Sequence, residues 1–486
     1  MPDVVGRAPE QAALRDLLAT ATGPRLAWLH GRPGMGKTFL LLNAWPPTVR
    51  IFHYSASHTT PGQNLRDLSK AAHQFSGAPP NQDPARSLTE ILDPIIGADG
   101  RPPTVLILDN CDFLTDGSTQ STTQLGLDLI ETLSSAPAGH PMLIVLSGGT
   151  AEMRETLAGP DGPLFGHVDW EYSLPPLDYW STVRLAPYTT PRDRIVLHAV
   201  FGGAPQYVAH LRPTGGLVDN IARLCIARHG AIRQSVETAL LREPGIRDHA
   251  AYHALLRGMG AGFTTVSAIH EAAALHGTDL TATRAKLERL ISLGYVKRER
   301  NFGARNTQPF RYLLADSAFA FHYTFVSPHD ALLDRMDPRL VFDRHIAAPF
   351  DTFVASRLVA LVSEAYDRLQ RIKRLPAVSE WGRWEGRTPE GHPASIDLIA
   401  RLDDGRMMTG GVYWHKEPVG ASTFAQHIAT LQSLAAKGEA WASQALSPEA
   451  PVLWVSAAGF RSDFAREIAK THRESTLLSL DALFRQ

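Results

Sequence analysis

The stretch RLAWLHGRPGMGKTFLLLNAW, residues 25–45, decides the fold. Leu26 to Leu29 read as a short buried strand, and Phe39 to Trp45 as the helix that follows. Between them, Gly31-Arg32-Pro33-Gly34-Met35-Gly36-Lys37-Thr38 has the form G-x-x-x-x-G-K-T. Glycines let the backbone curl so that successive N–H groups point at one spot, and the helix start adds partial positive charge. Such a loop cradles phosphate; its Lys reaches the β- and γ-phosphates and its Thr ligates Mg²⁺. A chance glycine-rich turn has the same composition but lacks the strand before and the helix after. ATP and Mg²⁺ are therefore the expected ligands. The residues placed on them are Gly31, Pro33, Gly34, Met35, Gly36, Lys37, Thr38 and Phe39.

Working outward, TVLILDNCDFL (104–114) carries the matching acid. Val105 to Leu108 form an apolar run that delivers Asp109 to a strand end, where it serves Mg²⁺ directly or through water. Without the loop at 31–38, Asp109 would read as an ordinary strand-end turn residue. The next position, which in many ATP-hydrolysing proteins holds a Glu that polarises the attacking water, holds Asn110. Asn cannot take a proton, so binding without brisk turnover is expected. Asp112 reaches the water only through an unusual turn. Ser147, ending PMLIVLSGG (141–149), is placed near the γ-phosphate, although a plain strand-to-turn Ser reads equally well. Strands near 26–30, 49–54, 104–109, 142–147 and 169–174 alternate with helical stretches such as 64–75 and 122–135. That alternation predicts an α/β fold whose parallel sheet is covered on both faces, with ligand at the carboxyl ends of the strands.

Composition limits the alternatives. The chain has 486 residues, 44% hydrophobic and 20% charged, enough for several globular domains. A formal net charge of -1 gives no global basic field for nucleic acid. Two cysteines, Cys111 and Cys225, argue against a disulfide scaffold and fit a reducing cytoplasm. The opening MPDVVGRAPEQ has no apolar signal core, no long apolar run suggests a bilayer span, and no solenoid repeat stands out.

Several stretches together resemble the archaeal-type ATPase family and its STAND relatives. VVGRAPEQAAL (4–14) resembles their G-R-x-x-E entry segment. GPLFGHVDWEYSLPPLDYW (162–180) resembles their P-L-[YF]-G-R…L-x-P-L segment, and VFGGAPQYV (200–208) their G-G-x-P-x-Y lid motif. The resemblance implies a P-loop ATPase core (1–185), a helical lid (186–248), a winged helix-turn-helix (249–326) and a restriction-endonuclease-like α/β domain (327–486). It also implies that Gly6 and Arg7 line the adenine pocket and that Pro205 touches the base. In plainer terms these would be a surface Arg after a turn and a helix-start Pro. The family pattern is broken where Asn110 replaces Glu and His167 replaces Arg.

Read from its own residues, 250–325 is also a winged-helix pattern: three helices, then two strands and a wing. Leu287, Leu290 and Ile291 face its core, Thr281 or Thr283 caps the third helix, and Gly294 ends it. Arg284, Lys286, Arg289, Lys297, Arg298, Arg300, Arg305 and Arg311 outnumber Glu288 and Glu299 there. Arg284, Lys286, Lys297 and Arg298 are the candidates for DNA phosphates, against the plainer reading of a solvated helix face or a protein-contact module.

In the C-terminal part, a helix is expected near 347–371, strands at 395–400 and 407–414, a helix at about 421–437 and a strand at 451–457. The nuclease resemblance asks for an Asp, which Asp397 supplies, and then Glu-x-Lys on the next strand. Gly411 and Tyr413 stand there instead, and Lys416 falls on the other face. Nuclease activity is therefore not expected. The expected function is an ATP-binding regulatory switch or scaffold with weak hydrolysis. Its expected partners are ATP, double-stranded DNA, and a protein or a further copy of the chain, with no membrane. The alternatives are an active ATPase coupled to DNA cleavage or remodelling, and a protein-interaction module without DNA.

Overall fold

The structure, a computed structural model, describes residues 4–79, 87–96, 103–135, 141–186, 188–243, 246–275, 277, 279–304, 308–333, 335–373, 375–387 and 391–485. The candidate Arg305 lies outside them. The chain forms two compact units: 1–176 with 204–206, and 177–203 with 207–486.

The first unit is built on a parallel sheet of five strands: β1 (Pro24–His30), β2 (Arg50–Ser55), β3 (Thr104–Asp109), β4 (Met142–Ser147) and β5 (Trp170–Ser173). Their order is β2-β3-β4-β1-β5, and every pairing is parallel. β3 and β4 are buried along their whole length, which is why both read as unbroken apolar runs. Phe52, Leu106, Leu108, Ile144 and Leu146 pack with Leu68, Ile91, Leu92 and Leu129 from the helices at Pro61–Ser76, Leu88–Ile96 and Thr119–Ser135. This parallel register brings the carboxyl ends of β1, β3 and β4 together.

In the second unit, helices His249–Gly260, Val266–Ala272 and Leu280–Ser292 precede an antiparallel hairpin of β6 (Val296–Glu299) and β7 (Arg311–Leu314). Asp279 caps the third helix, its carboxylate accepting from Ala282 N–H at 2.7 Å. The Thr283 proposed for that cap is buried and instead hydrogen-bonds His270 at 2.8 Å. Thr281 lies inside the helix. Gly294 takes φ 74°, the left-handed turn that ends it.

Beyond the hairpin runs helix Ala347–Lys373, followed by a mixed sheet ordered β12-β11-β10-β9-β8. Its strands are β8 (Val378–Arg387), β9 (Pro393–Leu402), β10 (Met407–Tyr413), β11 (Val452–Ser456) and β12 (Ser475–Ser479). β9 runs antiparallel to both β8 and β10; β10, β11 and β12 run parallel. Among the described residues one stretch, Pro338–Ile372, is long and apolar enough to pass for a membrane span by length and composition. Within it, Val354, Leu358, Val362 and Ala365 are buried inside the unit, and Arg357 donates to the Leu314 and Ala315 carbonyls at 2.9 and 2.8 Å.

Candidate nucleotide site

The loop between β1 and helix Lys37–Asn43 has the backbone that its glycines permit: φ is 131° at Gly31, 81° at Gly34 and 89° at Gly36. Any side chain at these positions would be strained. The Lys37 ammonium donates to the Gly31 carbonyl at 2.7 Å and the Arg32 carbonyl at 3.1 Å. It is thus drawn into the curl of the loop. Met35 is buried beneath, while Pro33 and Phe39 are exposed.

Thr38 and Asp109 meet although 71 residues separate them. The Thr38 hydroxyl donates to Asp109 Oδ2 at 2.5 Å. Burial alone would raise the Asp109 pKa. The His53 and Ser147 side chains, the Thr38 hydroxyl and the Asn110 amide outweigh it and hold the pKa at about 2. Asp109 is therefore ionised throughout the physiological range. His53, passed over in the sequence, stands on β2 with Nε2 3.7 Å from Asp109 Oδ2. Ser147 is fully buried and level with Asp109 in the β3–β4 register, so it faces the acid.

Asn110 adopts φ 54° and ψ 45°, a left-handed conformation that Asn tolerates better than most residues. Its amide donates to Ser55 Oγ at 3.0 Å. A tight turn over Cys111–Leu114 follows and swings Asp112 back to the end of β4. There Asp112 Oδ2 accepts the Gly149 N–H at 2.9 Å. Gly148 and Gly149 take φ 99° and 96°, and the Gly148 carbonyl accepts from the Trp28 indole at 2.9 Å.

Arg7, with Gly6 before it at φ 72°, is buried and pairs with the buried Glu10 at 3.5 Å. Its guanidinium donates to Pro175 O at 2.6 Å and to Met35 O at 3.3 Å, tying the phosphate loop to the segment after β5. Pro205 lies against the loop at Gly36: a Cβ there would come within 3.7 Å of the proline ring. Gln206, also unread in the sequence, is closer still. Its N–H donates to Gly34 O at 3.4 Å, and its side chain would overlap any Cβ at Gly34. His167 is exposed in the turn after Leu164.

Farther along the chain, three of the four candidate DNA contacts already have acid partners. Lys286 pairs with Asp248 at 3.3 Å, Lys297 with Glu299 at 2.5 Å and Arg298 with Glu288 at 2.7 Å. Arg284 is exposed on its helix. Asp397 accepts the Val412 N–H at 3.2 Å, and burial raises its pKa. A side chain at Gly411 would strike the rings of Tyr413 and Trp454, which stack at 5.8 Å. Among the described residues no cluster of three His, Cys, Asp or Glu is placed to hold a metal.

No protein-family model matches the chain, and no curated protein matches it. Among solved structures, the Walker-type ATPase of Pyrococcus abyssi aligns over 66% of this chain and 96% of its own, at 18% identity and a TM-score of 0.44. The ORC2 protein of Aeropyrum pernix, solved as ADPNP–ADP complexes, aligns over 68% and 95%, at 14% identity and a TM-score of 0.45. The Cdc6p of Pyrobaculum aerophilum aligns over 71% and 96%, at 14% and 0.35. Likeness at this level assigns no activity and no partner. The residues themselves make the first unit a parallel α/β core with a phosphate-loop sequence at the end of β1 and an ionised Asp at the end of β3.

Proposed function

We propose that the chain binds Mg·ATP and uses it as a regulatory switch or scaffold. One observation carries this reading: the Thr38–Asp109 hydrogen bond at the mouth of a glycine loop that already holds Lys37. A hydroxyl and an ionised carboxylate side by side suit a hard cation, so Thr38 and Asp109 would hold Mg²⁺. The metal would neutralise charge on the β- and γ-phosphates. Lys37 would exchange its loop carbonyls for phosphate oxygens.

Chain connectivity supports a switch. Ala204–Gln206 belongs to the first unit and touches the phosphate loop, while the residues on both sides belong to the second. A ligand that resets the loop therefore pulls on a segment anchored in the second unit at both ends. Hydrogen exchange in 177–203 and 207–243 is expected to differ between ATP- and ADP-loaded protein. Identical exchange would leave a binding protein without a switch.

Residues 249–326 are read as a winged helix on the order of their elements, and 327–486 as a nuclease-like domain retained for assembly with a protein or a further copy. The crowding at Gly411 and the absence of a Lys at Tyr413 support the loss of cleavage. The buried free cysteines, Cys111 and Cys225, fit a cytoplasmic setting. For DNA, the acid partners of Lys286, Lys297 and Arg298 would compete with phosphates. Each phosphate contact adds about 0.9 to the slope of log affinity against log salt. A labelled duplex titrated by anisotropy is expected to give a slope magnitude of about 2 or less. A slope near about 4, flattened by reversing Arg284, Lys286, Lys297 and Arg298, would show phosphate contacts from all four.

A further inference from the structure

Asp109 cannot serve the attacking water. Its carboxylate is taken by Thr38 and, on the reading above, would be taken by the metal. Asn110 cannot accept a proton, and its side-chain amide is turned to Ser55. Asp112 is different on every count. The left-handed Asn110 and the tight turn after it carry Asp112 to the Gly148–Gly149 corner. That corner is fastened to the end of β1 by the Gly148 N–H donating to Leu29 O at 3.0 Å, two residues before the phosphate loop. Asp112 Oδ2 is fixed by Gly149, while Oδ1 is buried with no hydrogen-bond partner. Burial raises its pKa; the amides of Gly149 and Thr150 and the charge of Lys37 oppose the rise. A buried carboxylate oxygen without a partner costs free energy unless something uses it.

We propose that Asp112 is the catalytic carboxylate for ATP hydrolysis, in place of the acid missing at position 110. This rests on the ATP reading above. Asp112 Oδ1 accepts one proton from a water molecule as the water oxygen bonds to the γ-phosphorus. The bond from that phosphorus to the β,γ-bridging oxygen breaks, and its electron pair leaves with ADP. The proton held by Asp112 then passes to the released phosphate or to solvent, restoring the carboxylate. The slow turnover expected from Asn110 alone is thereby replaced by turnover that depends on Asp112.

The test is Asp112→Asn, whose side-chain oxygen still accepts from Gly149 but cannot take a proton. Steady-state phosphate release is expected to fall by about 10²- to 10⁴-fold in kcat. Calorimetry with a non-hydrolysable ATP analogue gives a second readout that a purely structural role would not move. On this proposal the Asp112 carboxylate faces the γ-phosphate, so removing its charge should tighten the analogue several-fold while leaving ADP affinity unchanged. Asp112→Glu, which keeps the carboxylate, should retain more activity than Asp112→Asn. Equal turnover in wild type and Asp112→Asn, or no turnover in wild type with the analogue bound, would overturn the assignment while leaving ATP binding intact. Absence of any nucleotide binding would instead overturn the ATP reading beneath it.

Discussion

Replacing Lys37 with Ala is expected to weaken Mg·ATP binding by about 10- to 100-fold, the worth of about 1.5–3 kcal/mol for a hydrogen bond to a charged group. The ammonium already sits inside the loop, donating to Gly31 O and Arg32 O. Its side chain is therefore already ordered in the loop, and the exchange of these carbonyls for phosphate oxygens keeps the expected loss within that range. The loop should keep its shape in the variant, because Arg7 holds the Met35 carbonyl and Gln206 holds that of Gly34. Calorimetry should thus show lost affinity with an unchanged melting temperature. Wild-type affinity in Lys37→Ala would place the nucleotide elsewhere.

Phe302→Ala is expected to destabilise the second unit by about 3–5 kcal/mol, the range for emptying a buried Phe site. Phe302 sits in the loop between β6 and β7, which the sequence pattern reads as a wing. It is 5% exposed and packs edge-on to Trp441 at 5.7 Å, among Ile396, Ile399, Leu431 and Leu434. Its N–H donates to Arg383 O at 2.8 Å. The neighbouring Asn301 side chain exchanges two hydrogen bonds with the Glu385 backbone, at 2.8 and 3.1 Å. Gly303, at φ 74°, has no room for a Cβ against Trp441. Arg311 pairs with Glu385 from the same side. This end of the hairpin loop is an internal plug into the C-terminal sheet. Urea unfolding followed by tryptophan fluorescence would report the loss; a change under about 1 kcal/mol would mean that the loop is only laid on the surface.

Much of the first unit was legible in the sequence because its signals are local. β1, β3 and β4 are apolar runs ending in His, Asp or Ser, and the spacing of the glycines with Lys37 and Thr38 belongs to one short segment. The site's remaining parts depend on contacts that spacing does not encode. His53 lies on a neighbouring strand, Gln206 comes from far along the chain, and Asp112 depends on one left-handed residue at Asn110. The same limit explains the third helix of the second unit. Asp279 outcompetes two threonines for its cap because it stands one residue before the helix, and helix boundaries are the least certain feature of a sequence reading. β8 was missed because Val378–Arg387 is only half-buried and mixes charge with aromatics. Its pairing with β9, broken by bulges, masks the alternation that marks a strand.

The pairing of Thr38 with Asp109 is the centre of the account, and Mn²⁺ substituted for Mg²⁺ reads it out. Electron paramagnetic resonance of bound Mn²⁺ should show one ion per chain only when ADP or a non-hydrolysable ATP analogue is present. Asp109→Asn should weaken that ion at least tenfold while nucleotide alone still binds. Mn²⁺ binding that needs no nucleotide, or that survives Asp109→Asn unchanged, would contradict it.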